Sequence, residues 1–168
     1  KGRAYVFWND GSFPIIASAA DAVITGPSSN SAFGAALASG DFNADGKTDL
    51  VVSASQSYDA SPIGMAYIFY NGSIVTETTA GADITITGNA IGDQFGTSLA
   101  SGDWNADGKT DLAVGANSYS ASTGRVYIFY NDGSIPTTAA TADVTITGEG
   151  GAFGYSLAAG DMNADGKT

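Results

Sequence analysis

Three short loops hold eight of the 17 acidic residues of this chain. They begin at Asp41, Asp103 and Asp161, and each reads Asp-x-Asn-Ala-Asp-Gly-Lys-Thr. Because such a turn curls around a centre, oxygen atoms at positions 1, 3 and 5 and the carbonyl at position 7 converge, and Gly at position 6 permits the bend. Oxygen donors without nitrogen or sulfur select Ca²⁺, with Mg²⁺ or Mn²⁺ as alternatives. The chemistry expected of these loops is the binding of a hard divalent cation.

The spacing predicts two complete calcium sites and a third, partial one. The first ligand set is Asp41, Asn43, Asp45, the carbonyl of Lys47, and Asp49; the second is Asp103, Asn105, Asp107, the carbonyl of Lys109, and Asp111; the third is Asp161, Asn163, Asp165 and the carbonyl of Lys167. Position 12 is Val52 or Val114, inside a predicted strand, instead of the Glu of an EF-hand. The cation is therefore expected to close a β-hairpin.

Two alternatives bear on the role of these loops. Asp, Asn and Gly are common turn formers, but an ordinary turn does not explain why the carboxylates recur at every position. A catalytic site is usually single, whereas each repeat of this chain has the loop. The pattern therefore favours a structural cation over a catalytic one.

Composition limits the remaining chemistry. The 168 residues carry a net charge of −11, which disfavours nucleic acid and anionic membranes as partners, and we expect no membrane insertion. The absence of Cys and His removes disulfides, thiolate chemistry, His-ligated zinc and His-based acid–base catalysis. No Ser lies in a nucleophile elbow, and the clustered carboxylates already belong to the metal loops. We therefore expect no catalytic residues, no other cofactor site and no enzyme activity.

The loops belong to a repeat. Phe-Gly pairs stand at residues 33–34, 95–96 and 153–154, spaced by 62 and 58 residues, and an acidic loop begins eight residues after each Phe. Val, Ile, Tyr, Phe and Thr runs predict four strands per unit: first strands at 35–40, 97–102 and 155–160; second strands at 50–54 and 112–116; third strands at 4–8, 65–70 and 126–130; fourth strands at 22–25, 84–87 and 144–147. We expect the Phe residues to pack between repeats, with Gly allowing close approach.

The repeat predicts an all-β protein made of β-propeller blades with four antiparallel strands each. The third strands are apolar on both faces, which is typical of strands inside a stack of sheets. Residues 1–32 would end one blade, 33–94 and 95–152 would form two blades, and 153–168 would begin a further blade, all within one repeat domain at 1–168. Since propellers close with roughly four to eight blades, the ring in this chain is incomplete. We expect a segment of a longer repeat protein, or a chain completed by neighbouring subunits.

These residues resemble the FG-GAP repeats of the integrin α-subunit propeller and its bacterial relatives. The resemblance lies in the Phe-Gly pairs, the Asp-x-Asn-x-Asp-Gly-x-x-Asp-Leu loops at 41–50 and 103–112, and the Gly-Arg-Val-Tyr-Ile-Phe stretch at 124–129. It implies a seven-bladed extracellular propeller with calcium in hairpin loops on one face, used for adhesion, ligand binding or protein association. The chain departs from the family in lacking the Pro of the "GAP" segment at 52–55 and 114–117, and in its small number of blades.

The expected function is that of a calcium-binding extracellular or cell-surface module with a structural or adhesive role, part of a larger protein, fibre or assembly. The alternative is a carbohydrate- or protein-binding module attached to a secreted enzyme. Exposed strand edges favour protein partners or self-association. Glycans are a further candidate ligand, because Tyr58, Tyr119, Trp8 and Trp104 are aromatic residues suited to stacking on sugar rings. Asn71-Gly-Ser is a glycosylation sequon.

Overall fold

The computed structural model describes residues 1–11, 14–56, 63–75, 77–165 and 168. Its strands are β1 (Arg3–Val6), β2 (Ala22–Thr25), β3 (Phe33–Gly40), β4 (Asp49–Ala54), β5 (Met65–Phe69), β6 (Glu77–Thr78), β7 (Ile84–Thr87), β8 (Phe95–Gly102), β9 (Asp111–Ala116), β10 (Arg125–Phe129) and β11 (Val144–Thr147). Short 3₁₀ turns lie at Ala17–Ala19, Asn71–Ser73, Thr79–Gly81 and Ala139–Thr141, and one helical turn, α1, spans Tyr119–Ser122. Within the described ranges no helix has the length and apolar character needed to cross a bilayer.

Two sheets are complete four-stranded blades. The strands β3-β4-β5-β7 form one antiparallel sheet, which we name blade 2, and β8-β9-β10-β11 form the next, blade 3. In both sheets the strands lie side by side in the order in which they occur in the chain, as short connections favour. Antiparallel strands β1 and β2 belong to a preceding unit, blade 1. The prediction of all-β propeller blades in an incomplete ring is confirmed.

The first strand of the last repeat was predicted wrongly. Residues 155–160 form no strand, and Phe153 makes only an isolated bridge with Gly124. No strand of the described residues pairs with residues 155–160, so the backbone N–H and C=O groups of this segment lack the partner strand that a β-strand requires.

The connection from the third to the fourth strand reaches across to the preceding blade. Strand β6 pairs in parallel with β2, in the register Ile24↔Glu77 and Thr25↔Thr78. In the next unit Thr87 bridges Thr138 in parallel, and its N–H donates to the carbonyl of Thr137 at 2.9 Å. This strap, defined as residues 77–78 and 137–138, covers the outer edge of the preceding blade and was not predicted.

Burial on both faces marks the middle strands. Every residue of β9 is buried, and in blade 2 Val51, Val52, Ile68 and Phe69 have no exposed surface. The aromatic ring of Phe95 packs edge-on against Tyr127 and Phe129 of its own blade, with ring centroids 5.6 and 6.2 Å apart. The outermost strand β11 is mostly exposed, as its alternating sequence predicts. The core therefore runs between the blades as well as within each one.

Glycines of one blade lie under the Phe-Gly pair of the next. A Cβ atom added to Gly64 would overlap the carbonyl of Phe95, and one added to Gly88 would lie 2.7 Å from the Phe95 Cβ. Gly96 itself has a φ of 90°, a conformation that side chains with a Cβ avoid. The expectation that Phe95 packs between blades is confirmed, and Phe33 repeats it over Gly2 and Gly26. Phe153 occupies the same position over the last blade but is 39% exposed.

We expect Gly64→Ala to lower the free energy of unfolding by about 2–3 kcal/mol, because the new methyl group overpacks the blade interface. Urea denaturation followed by circular dichroism measures this change. Gly72→Ala is the control, since a Cβ there meets no atom within 4 Å. Equal stability of the two variants would contradict the close packing of the Phe-Gly pair on the preceding blade.

Candidate metal sites

The first two acidic loops connect β3 to β4 and β8 to β9, so they lie at the same end of neighbouring blades. In the first loop Asp41 accepts hydrogen bonds from the N–H groups of Asp45 at 3.1 Å and Gly46 at 2.8 Å. Asn43 Oδ1 accepts from Asp45 N–H at 3.0 Å, and Asp45 Oδ1 accepts from Lys47 N–H at 2.9 Å. These bonds curl the backbone around the side chains at positions 1, 3 and 5.

The other loops repeat this conformation. In the second loop the four corresponding distances are 3.0, 2.9, 3.0 and 2.9 Å, made by Asp103, Asn105 and Asp107. In the third loop Asp165 N–H donates to Asp161 at 3.1 Å and to Asn163 at 3.3 Å. The predicted ligand Lys167 lies outside the described residues. Three copies with one local geometry indicate that the loop sequence itself determines the turn.

The backbone at positions 4 and 6 is left-handed. Gly46 and Gly108 have φ values of 82 and 84°, as predicted for the bend. Ala44 and Ala106, at position 4, also have positive φ values of 57 and 60°, which sequence analysis missed. This conformation costs an Ala on the order of 1 kcal/mol. The hydrogen bonds on both sides of the Ala offset that cost.

The acid at position 9 has a different environment from the others. Asp49 and Asp111 are 1% and 0% exposed, whereas Asp45 and Asp107 at position 5 are exposed. Asp111 accepts from the backbone N–H groups of Trp104 at 3.0 Å and Asn131 at 2.8 Å. In the first loop the corresponding acid, Asp49, accepts from the backbone N–H groups of Phe42 at 2.8 Å and Asn71 at 2.9 Å. Each position-9 acid therefore ties its loop to the end of the third strand.

The donor set fits a hard divalent cation in its chemistry. All predicted ligands are oxygen atoms, and each carboxylate oxygen keeps lone pairs beyond the N–H groups it already accepts. Among the described residues no basic side chain pairs with Asp49 or Asp111, and the ion pair between Lys109 and Asp107, at 3.8 Å, lies at the exposed part of the second loop. In the described part of the chain, no three acidic side chains are gathered closely enough to ligate one ion.

A second set of acids holds the fourth strand. Asp21, Asp83 and Asp143 each accept, at 2.8 Å, the N–H of the residue 13 positions earlier, which is Trp8, Tyr70 or Tyr130. Sequence analysis gave these acids no role. The signal that identifies them is the recurring sequence Ala-Asp-x-x-Ile-Thr-Gly, which begins two residues before each fourth strand and ends with the Gly that follows it. Their negative charge reaches the first loop region, where Asp83 and Asp49 add to burial in raising the pKa of the Tyr70 hydroxyl.

The aromatic residues proposed to contact glycans are only partly accessible for stacking on a sugar ring. The Arg125 guanidinium lies 3.7 Å from the ring centroid of Tyr119, so one face of that ring is covered. Trp104 packs against the buried cluster of Ala100, Ala113 and Val126, while Trp8 is 42% exposed. Tyr58 lies outside the described residues. The amide Nδ2 of the sequon residue Asn71 lies 3.5 Å from the carbonyl of Thr48.

We expect Asp111→Ala to lower the free energy of unfolding by about 2–4 kcal/mol in calcium-free buffer, because one buried and one partly buried backbone N–H group lose their acceptor. Asp107→Ala is the matched control in the same loop, and it should cost less than about 1 kcal/mol since its partners are exposed. Urea denaturation with a chelator present measures both. If Asp111→Ala were no more harmful than the control, the carboxylate would not hold the loop.

Asp93, at the other end of blade 3, supplies a pH dependence. Burial raises the pKa of its carboxyl group, although the charge of Arg125 opposes the rise, and Oδ2 is buried without a hydrogen-bond partner. A raised folded-state pKa contributes stability below the ordinary value of 3.8, and this contribution is lost as the pH rises through the raised value.

We therefore expect Asp93→Asn to raise the melting temperature by roughly 1–3 °C at pH 7 and to leave it unchanged near pH 3. Thermal melts across that pH range measure the difference. Asp132→Asn removes the same charge from an exposed position and should show no such pH trend. A gain for Asp93→Asn that is equal at both pH values would contradict the buried-charge explanation.

Comparison with known proteins identifies the family of the repeat. The model of the FG-GAP repeat family matches residues 33–69 and 95–129, which contain the first three strands and the acidic loop of each complete blade. Integrin alpha-PS2 of Drosophila melanogaster is 33% identical over 149 residues, covering 82% of this chain and 10% of that protein. Integrin alpha-7 of Homo sapiens is 31% identical over 172 residues, covering 99% of this chain and 14% of that protein.

A third relative is an enzyme by name. Phosphatidylinositol-glycan-specific phospholipase D of Rattus norvegicus is 33% identical over 147 residues, covering 78% of this chain and 17% of that protein. The chain thus spans between 10 and 17% of the length of these three relatives. It belongs to the FG-GAP repeat family, with similarity to integrin α subunits, and it folds as integrin-like β-propeller blades.

Proposed function

We propose that this chain is a calcium-binding extracellular or cell-surface module with a structural or adhesive role, non-enzymatic and part of a larger protein or assembly. The observation that carries the proposal is the recurrence of one loop conformation, with oxygen donors at the same positions, at the same end of successive blades. A site repeated in each blade serves the blades themselves, whereas a catalytic centre is usually single. Similarity to integrin α subunits supports the extracellular location and protein partners.

The proposed ligands are the side chains of positions 1, 3, 5 and 9 and the carbonyl of position 7 in each loop. They are Asp41, Asn43, Asp45, Lys47 and Asp49 in the first loop, Asp103, Asn105, Asp107, Lys109 and Asp111 in the second, and Asp161, Asn163, Asp165 and Lys167 in the third. When bound, the cation supplies positive charge among carboxylates that otherwise repel one another. The chain itself holds those carboxylates near the backbone turn and anchors the position-9 acid in the core.

The proposal includes association with other proteins, or with further copies of this chain, through exposed strand edges. Among the residues that the structure describes, strand β1 pairs with β2 alone. An unpaired edge offers N–H and C=O groups to another strand, so it favours a further repeat or a protein partner. The division into a blade end at 1–32, blades at 33–94 and 95–152, and a blade start at 153–168 is part of this proposal, as is a bacterial type of repeat.

The second candidate function is a carbohydrate- or protein-binding module attached to a secreted enzyme. The similarity to phosphatidylinositol-glycan-specific phospholipase D over 78% of the chain supports it. The glycan version is weakened by the Arg125 side chain stacked on Tyr119. A glycan-array signal lost in Trp8→Ala would favour this candidate over the first.

We expect saturating calcium to raise the melting temperature by roughly 5–10 °C over the chelated protein, since a ligand at about a hundred times its Kd adds about 2.7 kcal/mol of stability. Isothermal titration counts the ions, and parallel titrations with Mg²⁺ and Mn²⁺ identify the preferred cation. Asp45→Ala and Asp107→Ala should each remove one strong site. Wild-type protein that melts at the same temperature with and without chelator, and binds no ion in the titration, would contradict the proposed function.

A further inference from the structure

Asn131 lies between the acidic loops of blades 2 and 3. It follows β10 and is 5% exposed. Its backbone N–H donates to Asp111 Oδ1, in the loop of its own blade, at 2.8 Å. Its side-chain Nδ2 donates to the carbonyl of Phe42, in the loop of blade 2, at 2.8 Å. One residue therefore contacts two loops that are 62 residues apart in the repeat.

The contact with Phe42 continues to the position-9 acid of the first loop. Phe42 is 2% exposed, and its N–H donates to Asp49 Oδ2 at 2.8 Å. Asp49, Phe42, Asn131 and Asp111 thus form an unbroken series of three buried hydrogen bonds. Both ends of the series are predicted cation ligands.

A second contact joins the same two loops. The side chain of Thr110, at position 8 of the second loop, packs on Gly40, which immediately precedes Asp41. A Cβ atom at Gly40 would meet the methyl and hydroxyl groups of Thr110 within 3.3 Å. The loops therefore cannot move independently without opening a packed contact.

We propose that the cation sites of neighbouring blades are coupled, so that calcium bound at one loop raises the affinity of the next, with Asn131 as the residue that transmits the effect. This rests on the proposed function, in which the loops bind calcium. Binding at the second loop immobilises Asp111 and, through it, Asn131. The Asn131 amide then holds the Phe42 peptide in place, and the first loop loses less conformational freedom when its own cation binds. Linkage makes the effect reciprocal.

Asn71 is the matched residue in blade 2. Its backbone N–H donates to Asp49 at 2.9 Å, as that of Asn131 does to Asp111. Its Nδ2, however, lies 3.5 Å from the carbonyl of Thr48, which belongs to the loop of its own blade. Alanine at either position retains the backbone bond and removes only the side-chain amide. Asn71→Ala is therefore the control for a change that does not cross between blades 2 and 3.

The chain carries its own reporter for the second loop. Trp104 stands at position 2 of that loop, and its backbone N–H donates to Asp111 at 3.0 Å. In a Trp8→Phe background, Trp104 is the single Trp, so calcium titration of its fluorescence measures binding at the second loop. The first loop is disabled separately by Asp45→Ala. The full chain is used throughout, and circular dichroism in chelator shows whether each variant is folded without metal.

We expect Asp45→Ala to weaken calcium binding at Trp104 about fivefold when Asn131 and Asn71 are both present, within the usual range of coupling between sites. The same fivefold loss should persist with Asn71→Ala. With Asn131→Ala the effect of Asp45→Ala should fall below about twofold. A merely structural role for Asn131 would lower the melting temperature in chelator but leave the fivefold effect intact.

Two results would overturn the coupling. Normal calcium binding at Trp104 that is unaffected by Asp45→Ala would disprove the coupling while leaving the proposed function in place. An equal effect of Asp45→Ala with and without Asn131→Ala would remove Asn131 as the transmitting residue. If neither Trp104 fluorescence nor equilibrium dialysis detected calcium, the proposed function would fail, and the coupling with it.

Discussion

The buried carboxylate at the end of each acidic loop is the constraint on which the arrangement of this chain depends. Asp49 and Asp111 lie in the core of the protein, yet each is held by backbone N–H groups from two separate places in its blade. A buried carboxylate is costly unless its oxygens are satisfied, so the loop and the exit of the third strand must both be in position. The exposed acids of the loop can then face solvent and a cation while the loop stays anchored.

The blades are joined by contacts that need small residues and correct register at the same time. Glycines before the third strand and after the fourth lie against the Phe of the next repeat, and larger side chains there would meet its backbone or its side chain, respectively. At the outer edge, the parallel pairing of β6 with β2 covers a strand that would otherwise be open. Near the acidic loops, Asn131 adds a buried hydrogen bond between blades 2 and 3. Three kinds of contact therefore join neighbouring blades: Phe-Gly packing, strand pairing at the outer edge, and a hydrogen bond near the acidic loops.

This construction explains how a chain of net charge −11 with no disulfide forms an ordered repeat protein. Many of its acids have local structural partners: backbone N–H groups within the loops, or the N–H of the residue after a third strand. Those bonds orient the carboxylates but do not neutralise their charge. A divalent cation at each loop would supply the missing positive charge, which is why the proposed function and the stability of the fold concern the same residues.

The sequence by itself determined the repeat, the strand order and the position of the acidic loops. These features rest on short-range patterns: Phe-Gly spacing, runs of Val, Ile, Tyr and Phe, and an Asp-x-Asn-x-Asp-Gly turn whose bonds lie within six residues. Only the tertiary structure decided that Asp49 is buried while Asp45 is exposed, and that β6 crosses to the preceding blade. It also decided that Asn131 reaches Phe42, 89 positions away, whereas Asn71 stays within its own blade. Each of these depends on a partner distant in the chain, and local residue preferences carry no information about such a partner.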